Sequence, residues 1–313
     1  MSIDEVYMKR CFRLSLNGLG HTRPNPLVGC VVVNGGRVVS EGYHAFHGGN
    51  HAERDAILRC RDKSLLRGAT LYVNLEPCSH FGLTPPCADL IVESGVSRVV
   101  CCNDDPNPLV AGRGFAKLEA AGIEVVRHVL EDEGRELNRR FFTFMEKHRP
   151  YIILKWAQTA DGYMDVDRSD GLEHKYWISN GFQTILSHKW RTEEAAILVG
   201  SSTYINDCPQ LTARFFDGQQ PQPVVWDRRG RIHNLPSHWL RLQCATVAEA
   251  MDVLYTRKIQ SVIVEGGRQI LDSFISSGIY DEVRILQSDR LFGEGLRAPD
   301  VPLVASNHLT IVR

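Results

Sequence analysis

The sequence predicts an α/β protein of two domains, the first of them a three-layer α/β/α sandwich. Three observations carry that expectation. At 313 residues the chain exceeds what one hydrophobic core usually holds. Its first half reads as a helix, a hairpin, and then helix and strand in alternation. After Arg149-Pro150 a new run of strands and helices starts, so the domains are set at residues 1–149 and 150–313.

Ser2-Ile3-Asp4-Glu5 has the serine-to-glutamate spacing of a capping box, and Tyr7, Cys11 and Leu14 follow at helical intervals until Gly18 and Gly20 stop the run. Leu27 to Val33 is apolar and β-branched, Asn34-Gly35-Gly36 offers turn chemistry, and Arg37 to Tyr43 can return antiparallel. From His51 a helix is expected with Ala52, Ala56 and Ile57 toward a sheet, which puts His51 and Glu53 in its first turn. Thr70 to Leu75 reads as a buried strand. Pro77 suits the first position of the next helix, whose amide lacks an intrahelical partner anyway, and Cys78 then stands at a helix N-terminus. Two helix N-termini directed at one metal would help keep thiols ionised. A strand near Val96 to Cys102, a helix through Phe115 to Ala121 closed by Gly122, a strand at Ile123 to Val126 and a charged helix from about Glu131 to Lys147 complete this half.

In the second half Tyr151 to Ala157 reads as a strand, Asp161-Gly162 as a loop, Asn180 to Arg191 as a helix, and Ala195 to Val199 and Pro223 to Trp226 as strands. Ser261 to Glu265 runs into Gly266-Gly267 and a helix, Ile270 to Ser277, and such a turn lets backbone amides approach a phosphate. It lacks the G-x-G-x-x-G spacing of a dinucleotide fingerprint. Few residues follow Val304, which leaves room for a missing last strand.

Charge narrows the partners. A formal net charge of -1 and a pI near 6.9 give no basic footprint for a phosphodiester backbone, so nucleic acid is not expected. The N-terminus carries Asp4 and Glu5 rather than a basic segment and an apolar run, and no stretch reaches membrane-spanning length. A cytoplasmic protein without membrane attachment is therefore expected. Nine cysteines, an odd number, argue for reduced thiols and metal ligands rather than a disulfide framework. Cys11, Cys30, Cys60, Cys101, Cys102 and Cys244 read as small hydrophobes.

Chemistry concentrates in His51-Ala52-Glu53 and in Pro77-Cys78 through Cys87. One imidazole and two thiolates suit a tetrahedral zinc, and zinc with three protein ligands keeps a position open for water. A carboxylate two residues after the ligating histidine can take that water's proton and pass it to a leaving group, the part Glu53 is expected to play. H-x-E followed by P-C-x-x-C marks zinc nucleobase deaminases, whose glutamate is not a ligand; here the cysteines stand further apart. The plain alternative is a structural zinc, which normally closes with four protein ligands, and His80 is an available fourth. An acid beside three ligands favours the catalytic reading, with His80 lining the pocket.

That wider spacing and its surroundings resemble the bifunctional riboflavin-biosynthesis deaminase/reductase family over nearly the whole chain. The likeness runs through Pro24-Asn25-Pro26-Leu27-Val28-Gly29, His51-Ala52-Glu53, Leu75-Glu76-Pro77-Cys78 to Cys87, and Asp105-Pro106-Asn107-Pro108. It continues through Lys155, Asp161-Gly162, Trp177-Ile178, Leu211-Thr212-Ala213-Arg214 and Glu265-Gly266-Gly267. The resemblance implies a cytidine-deaminase-like first domain with one zinc on His51, Cys78 and Cys87 and Glu53 as proton shuttle. It implies a dihydrofolate-reductase-like second domain that binds NADPH through Gln158, Trp177, Thr203, Asp207 and the backbone at Gly267. Substrate contacts carried over are Asn25, His44, Asp105 and Asn107 in the first domain, and Lys175, Arg191, Leu211, Arg214 and Glu265 in the second. The substrate would be a pyrimidine ribose phosphate, and a homo-oligomer is expected. Taken singly these residues have plainer explanations: asparagine before proline is a turn, Trp177 is a core aromatic by default, and either arginine could sit in a surface ion pair. A guanidinium can also engage phosphate oxygens bidentately.

The chain departs from the family pattern in three places. Leu83 stands where a basic residue is usual within Gly-x-Thr-Pro-Pro-Cys, so phosphate recognition in the first domain either falls to another basic residue or is weakened. Cys208 follows Asp207 where an acid is usual, and Asp165 to Lys175 lacks the usual small, polar character. Two other readings compete: a deaminase of a free base, nucleoside or nucleic acid with an unrelated second domain, and a zinc-stabilised binding protein whose reductase half has decayed. The near-neutral charge disfavours nucleic acid, and a free base leaves the second half unexplained.

Overall fold

Strand periodicity decides how the first layers assemble. The computed structural model describes residues 1–81, 85–107, 110–166, 177–301 and 308–313, and the chain divides into two units, Met1–Lys147 and His148–Arg313. The first unit runs α1 (Ile3–Ser15), β1 (Gly29–Asn34), β2 (Arg37–Tyr43), α2 (Ala52–Arg59), β3 (Thr70–Leu75), α3 (Cys87–Ser94), β4 (Arg98–Asn103), α4 (Arg113–Ala120), β5 (Glu124–Val126), α5 (Glu131–Leu137) and α6 (Arg139–Glu146). Its sheet has the order β2-β1-β3-β4-β5, with β1 antiparallel to both neighbours and β3, β4 and β5 parallel. Successive side chains on a strand point to opposite faces. Cys30, Val32, Leu71, Val73, Val99 and Cys101 therefore pack with Ala56, Ile91, Phe115 and Leu118 of the helices on one side. Val31, Val33, Tyr72, Val100 and Cys102 pack with Met8 and Cys11 of α1 on the other. This is the three-layer sandwich that the order of elements predicts.

The capping box at Ser2 forms as read, Ser2 Oγ accepting from the Glu5 amide and the Glu5 carboxylate from the Ser2 amide. Two expectations need correction. The helix after β3 begins at Cys87, not at Pro77, so Cys78 lies in irregular chain before it. The reason is Pro85-Pro86: a proline pushes the residue before it out of the helical region, so a helix starts cleanly only beyond the pair. The charged helix expected from Glu131 to Lys147 is broken at Asn138. The Asn138 side chain instead grips the backbone of Leu27, accepting from its amide at 2.8 Å and donating to its carbonyl at 2.9 Å.

One glycine sets the height of α2 over the sheet. A Cβ on Gly42 of β2 would stand 2.6 Å from the Ala52 carbonyl oxygen and closer still to the Ala56 amide. Only a residue without a side chain allows this approach.

The second unit runs β6 (Tyr151–Gln158), β7 (Tyr163–Asp165), α7 (Gly181–Glu193), β8 (Ala196–Gly200), α8 (Ser201–Asp207), β9 (Gln222–Trp226), β10 (Leu240–Leu242), α9 (Val247–Thr256), β11 (Ser261–Val264), α10 (Arg268–Ser277), β12 (Glu282–Gln287), β13 (Leu296–Arg297) and β14 (His308–Val312). The large sheet, β10-β9-β8-β11-β6-β12-β14, is parallel at every pairing, and β7 and β13 form a small antiparallel ladder. A parallel sheet is covered on both faces, which is why Ile152-Ile153-Leu154 and Val262-Ile263-Val264 are continuous apolar runs rather than alternating ones. Ile152, Leu198 and Val264 pack with Leu254 of α9 and Phe274 of α10, whereas Ile153, Ile197 and Ile263 pack with Trp190 of α7. A last strand is present, β14 beside β12. Among the described residues no helix is long and apolar enough to cross a membrane.

Candidate active sites

His51 caps the N-terminus of α2 and Cys87 is the first residue of α3, so two helix N-termini do meet here, the second at Cys87 rather than at Cys78. Cys78 arrives from the end of β3, held where its Sγ accepts from the Cys87 amide at 3.3 Å and its carbonyl accepts from the Ala88 amide at 3.1 Å. Both sulfurs stand 3.5 Å from His51 Nδ1. The three donor atoms lie within 4.8 Å of one another and form the one cluster among the described residues suited to a metal ion. Zinc fits them: ligand bonds of about 2.3 Å to sulfur and about 2.05 Å to nitrogen at a tetrahedral angle put N and S about 3.6 Å apart. The hydrogen bond from Cys87, aided by His51, drives the Cys78 thiol toward thiolate. His80 does not join the cluster.

The cluster sits in a cavity of about 310 Å³ whose walls include Asn25, His44, His51, Glu53, Cys78, His80, Asp105 and Asn107. Every residue expected in the first-domain site is thus brought to one place. Glu53, 4% exposed, has its carboxyl pushed up to about 7 by burial and by the charge of Cys78, near the pH at which a proton must be both taken and returned. A bound dication pulls in the opposite direction. His44 is fixed as a neutral tautomer, because Nδ1–H donates to the Asn50 carbonyl at 2.8 Å while Nε2 accepts from the Asn25 amide at 3.1 Å. Burial lowers its basicity further. Asp105 is raised to about 6 by burial, against the Asn107 amide that donates to it at 2.9 Å. Behind it the buried carboxylate of Glu76 accepts from the Gly112 and Gly114 amides, both at 3.0 Å, and so pins the loop that carries Asp105 and Asn107.

Two cavities among the described residues of the second unit gather the polar side chains. One, about 420 Å³, is walled by Lys155, Trp177, His188, Arg191, Asp207, Cys208, Leu211 and Arg214. Two of these residues meet Glu265, whose carboxylate accepts from Arg191 Nη2 at 2.7 Å and Nε at 3.1 Å, with Lys155 Nζ 3.6 Å away. Burial alone would raise the Glu265 carboxyl, but the charges of Arg191 and Lys155 overcome it and hold it at about 2. Burial, aided by the positive charges of Arg191 and Arg214, holds His188 down at about 4 and hence neutral. Arg191 also donates to the Thr212 carbonyl, so much of its fork is engaged within the protein, while Arg214 packs its guanidinium over Phe215.

The other cavity, about 500 Å³, is walled by Ser201, Ser202, Thr203, Arg228, Arg229, Arg231, Gly267 and Arg268. The residues expected to hold one cofactor are therefore divided: Thr203 and Gly267 face this cavity, Trp177 and Asp207 the other, one turn of α8 apart. The Gly267 amide donates to Thr203 Oγ1 at 3.1 Å. Gln158 lines neither; its side chain accepts from the Trp156 indole at 2.8 Å. Lys175 and Leu83 lie outside the described residues. Sequence reasoning missed the arginines that follow β9. Their signal was Asp227-Arg228-Arg229-Gly230-Arg231 at the end of an apolar strand: fully buried Asp227 accepts from the amides of Arg231 and Ile232 and shapes the turn, and Arg231 donates to Ser201 and Ser202 at 2.7 and 2.8 Å.

Two family models match the chain: the cytidine and deoxycytidylate deaminase zinc-binding region over residues 1–103, and the RibD C-terminal domain over residues 150–312. The riboflavin biosynthesis protein RibD of Aquifex aeolicus is 38% identical over 334 residues, an alignment covering 96% of this chain and 90% of that protein. The Escherichia coli protein of the same name is 33% identical over 338 residues, covering 94% and 90%. Among solved structures, a diaminohydroxyphosphoribosylaminopyrimidine deaminase/5-amino-6-(5-phosphoribosylamino)uracil reductase from Thermotoga maritima matches with a TM-score of 0.85 at 38% identity, covering 94% of this chain and 89% of that one. RibD of Acinetobacter baumannii matches with a TM-score of 0.87 at 32% identity, covering 96% and 92%.

Proposed function

Since this chain belongs to the RibD family of riboflavin-biosynthesis enzymes, with a zinc-binding deaminase domain and a reductase domain, we propose that it catalyses two consecutive steps on one pyrimidine ribose phosphate. Residues 1–149 hydrolytically deaminate 2,5-diamino-6-ribosylamino-4(3H)-pyrimidinone 5′-phosphate. Residues 150–313 then reduce its ribosyl group to ribityl with NADPH, giving 5-amino-6-ribitylaminouracil 5′-phosphate. We infer a cytoplasmic homo-oligomer, which sedimentation velocity and cell fractionation test.

The observation that carries the first step is the convergence of Glu53 with His51, Cys78 and Cys87 in one cavity. Zinc, when bound, supplies the Lewis acidity that makes water a nucleophile at neutral pH. His51, Cys78 and Cys87 would hold it at the cavity. The Glu53 carboxylate accepts a proton from the attacking water and returns it to the departing ammonia. Asn25, held by His44, and Asp105 with Asn107 orient the pyrimidine and ribose. NADPH supplies the hydride for the second step. Thr203 and Gly267, with Trp177 and Asp207, are assigned to the cofactor, and Gln158, which lines neither cavity, is not; Lys175, Arg191, Leu211, Arg214 and Glu265 are assigned to the sugar phosphate. Glu265 keeps Arg191 and Lys155 at fixed positions, so their charge is preorganised rather than recruited on binding.

The test is to incubate purified protein with the diaminopyrimidinone phosphate and follow ammonia and NADPH separately. Ammonia release that stops with a zinc chelator, and NADPH oxidation that follows it, are expected. Ammonia without later NADPH oxidation would sink the second step, and no ammonia would sink the first.

A further inference from the structure

His44 and Asn25 meet on the wall of the metal cavity, and their contact has a fixed direction. Each nitrogen of the His44 ring has a partner inside the protein: Nδ1 lies 2.8 Å from the Asn50 carbonyl oxygen, and Nε2 lies 3.1 Å from the Asn25 side-chain amide. A carbonyl oxygen can only accept, so Nδ1 carries the hydrogen. His44 is buried and has no carboxylate among its hydrogen-bond partners to sustain a second proton, which leaves Nε2 bare. A bare nitrogen in turn can only accept, so Asn25 must offer it Nδ2–H.

The main chain holds both residues at their posts, the His44 amide donating to the Val28 carbonyl and the Asn25 amide to the Thr22 carbonyl, each at 2.9 Å. The His44 ring also stands edge-on to the ring of His51, centroids 5.5 Å apart, which sets the pair beside the metal cluster. With both nitrogens engaged, His44 has none left for a substrate. Asn25 Oδ1, by contrast, makes no hydrogen bond among the described residues and is not one of the unpartnered atoms sealed from solvent. Turning the amide over would set this oxygen against Nε2, two acceptors with no hydrogen between them.

We propose that His44 is a positioning residue and not a substrate contact: it fixes the Asn25 amide so that Oδ1 is offered to the cavity, and the deaminase site thereby selects a pyrimidine edge that carries N–H. This rests on the deaminase reading above, whose substrate has such donors at N3 and at its amino groups. An amide free to turn would meet a donor edge or a lone-pair edge equally well. The relay from Asn50 through His44 removes that freedom before the substrate arrives.

The first test is spectroscopic. Zinc-loaded, full-length protein with isotope-labelled histidine is examined by long-range proton–nitrogen correlation at about pH 7.5, above the ordinary range of histidine, with H44Q assigning the signal. His44 is expected as the Nδ1–H tautomer, and an Nε2–H tautomer or an imidazolium would overturn the proposal. Ammonia release from the diaminopyrimidinone phosphate is then compared for N25A, H44F, H44Q and N25A/H44F, with zinc content and the melting profile reporting that each is folded. N25A should lower kcat/KM about ten- to a hundredfold and H44F about tenfold, with the double variant no worse than N25A alone. H44Q, whose amide oxygen can accept from Asn25 in place of Nε2, should recover most of the H44F loss. Additive losses in the double variant, an unchanged H44F, or H44Q as poor as H44F would each sink the relay. If the unmodified protein releases no ammonia, the deaminase reading falls, and the tautomer alone decides which way Asn25 is held.

Discussion

In the first unit the groups able to do chemistry come from short stretches that converge on a single cavity around three metal-binding atoms; in the second they come from β6, α7, α8, the turn after β9 and the end of β11, and they wall two cavities. The contrast follows from what each unit is proposed to hold. A metal needs donors at bonding distance, so its ligands fall at constrained spacings at the ends of neighbouring elements. A dinucleotide and a sugar phosphate are long, and a parallel sheet offers them the row of loops beyond its strand ends. The units also differ in how they keep charge. The first leaves Arg54 Nε and His80 Nδ1 without a hydrogen-bond partner, whereas the second binds Arg191 and Lys155 to Glu265 in advance.

The sharpest way to break this comparison is to disable one unit and watch the other. Glu53→Gln should lower deamination about 10²–10⁴-fold while zinc content and reduction of supplied intermediate stay as they were; a parallel loss of reduction would mean that the units do not work separately. Cys78→Ser and Cys87→Ser should each lose metal by elemental analysis, and full occupancy in both would remove the ligand assignment.

Next in size is Glu265→Gln, which leaves Arg191 and Lys155 facing each other without a counter-charge. Breaking a buried pair this way should cost about 3–5 kcal/mol, read as an early melting transition of the second unit by calorimetry. Its pH dependence has a definite sign. Glu265 is held at about 2 against its ordinary 4.5, so its contribution is present above pH 4.5 and is lost as the pH falls through about 2. The variant should lack that acid-dependent loss. Arg231→Ala should weaken NADPH binding about tenfold by titration, since one charged donor leaves the larger cavity. Smallest is Ser2→Ala, which removes half of the capping box and should cost the first unit about 1 kcal/mol.

The sequence made His51, Glu53, Cys78 and Cys87 legible because their chemistry constrains residue type and spacing together. It misassigned the helix N-terminus to Cys78, since Pro77 and Pro86 are equally good local signals and only the double proline tells them apart. The break at Asn138 was not legible at all: its cause is a hydrogen bond to Leu27, 111 residues away. Helix α9 was legible but overlooked, for Thr246 and Glu249 make the usual cap spacing and Thr246 does cap it. The run Asp227-Arg228-Arg229-Gly230-Arg231 signals a turn but not a site, and folding alone brings Arg231 to Ser201 and Ser202.

The contact between Gly42 and α2 makes one strand position a ruler for the reaction. Any side chain there pushes the helix outward, and His51 and Glu53 travel with it. Displacements of about an ångström at reacting groups can lower rates a hundredfold. Variation at a residue that touches neither metal nor pyrimidine would thus be read as lost turnover. Anyone reshaping this pocket for a new base should diversify the walls at Asn25, Asp105 and Asn107 and leave β2 alone, because the walls choose the substrate while the strand keeps the catalytic groups in range.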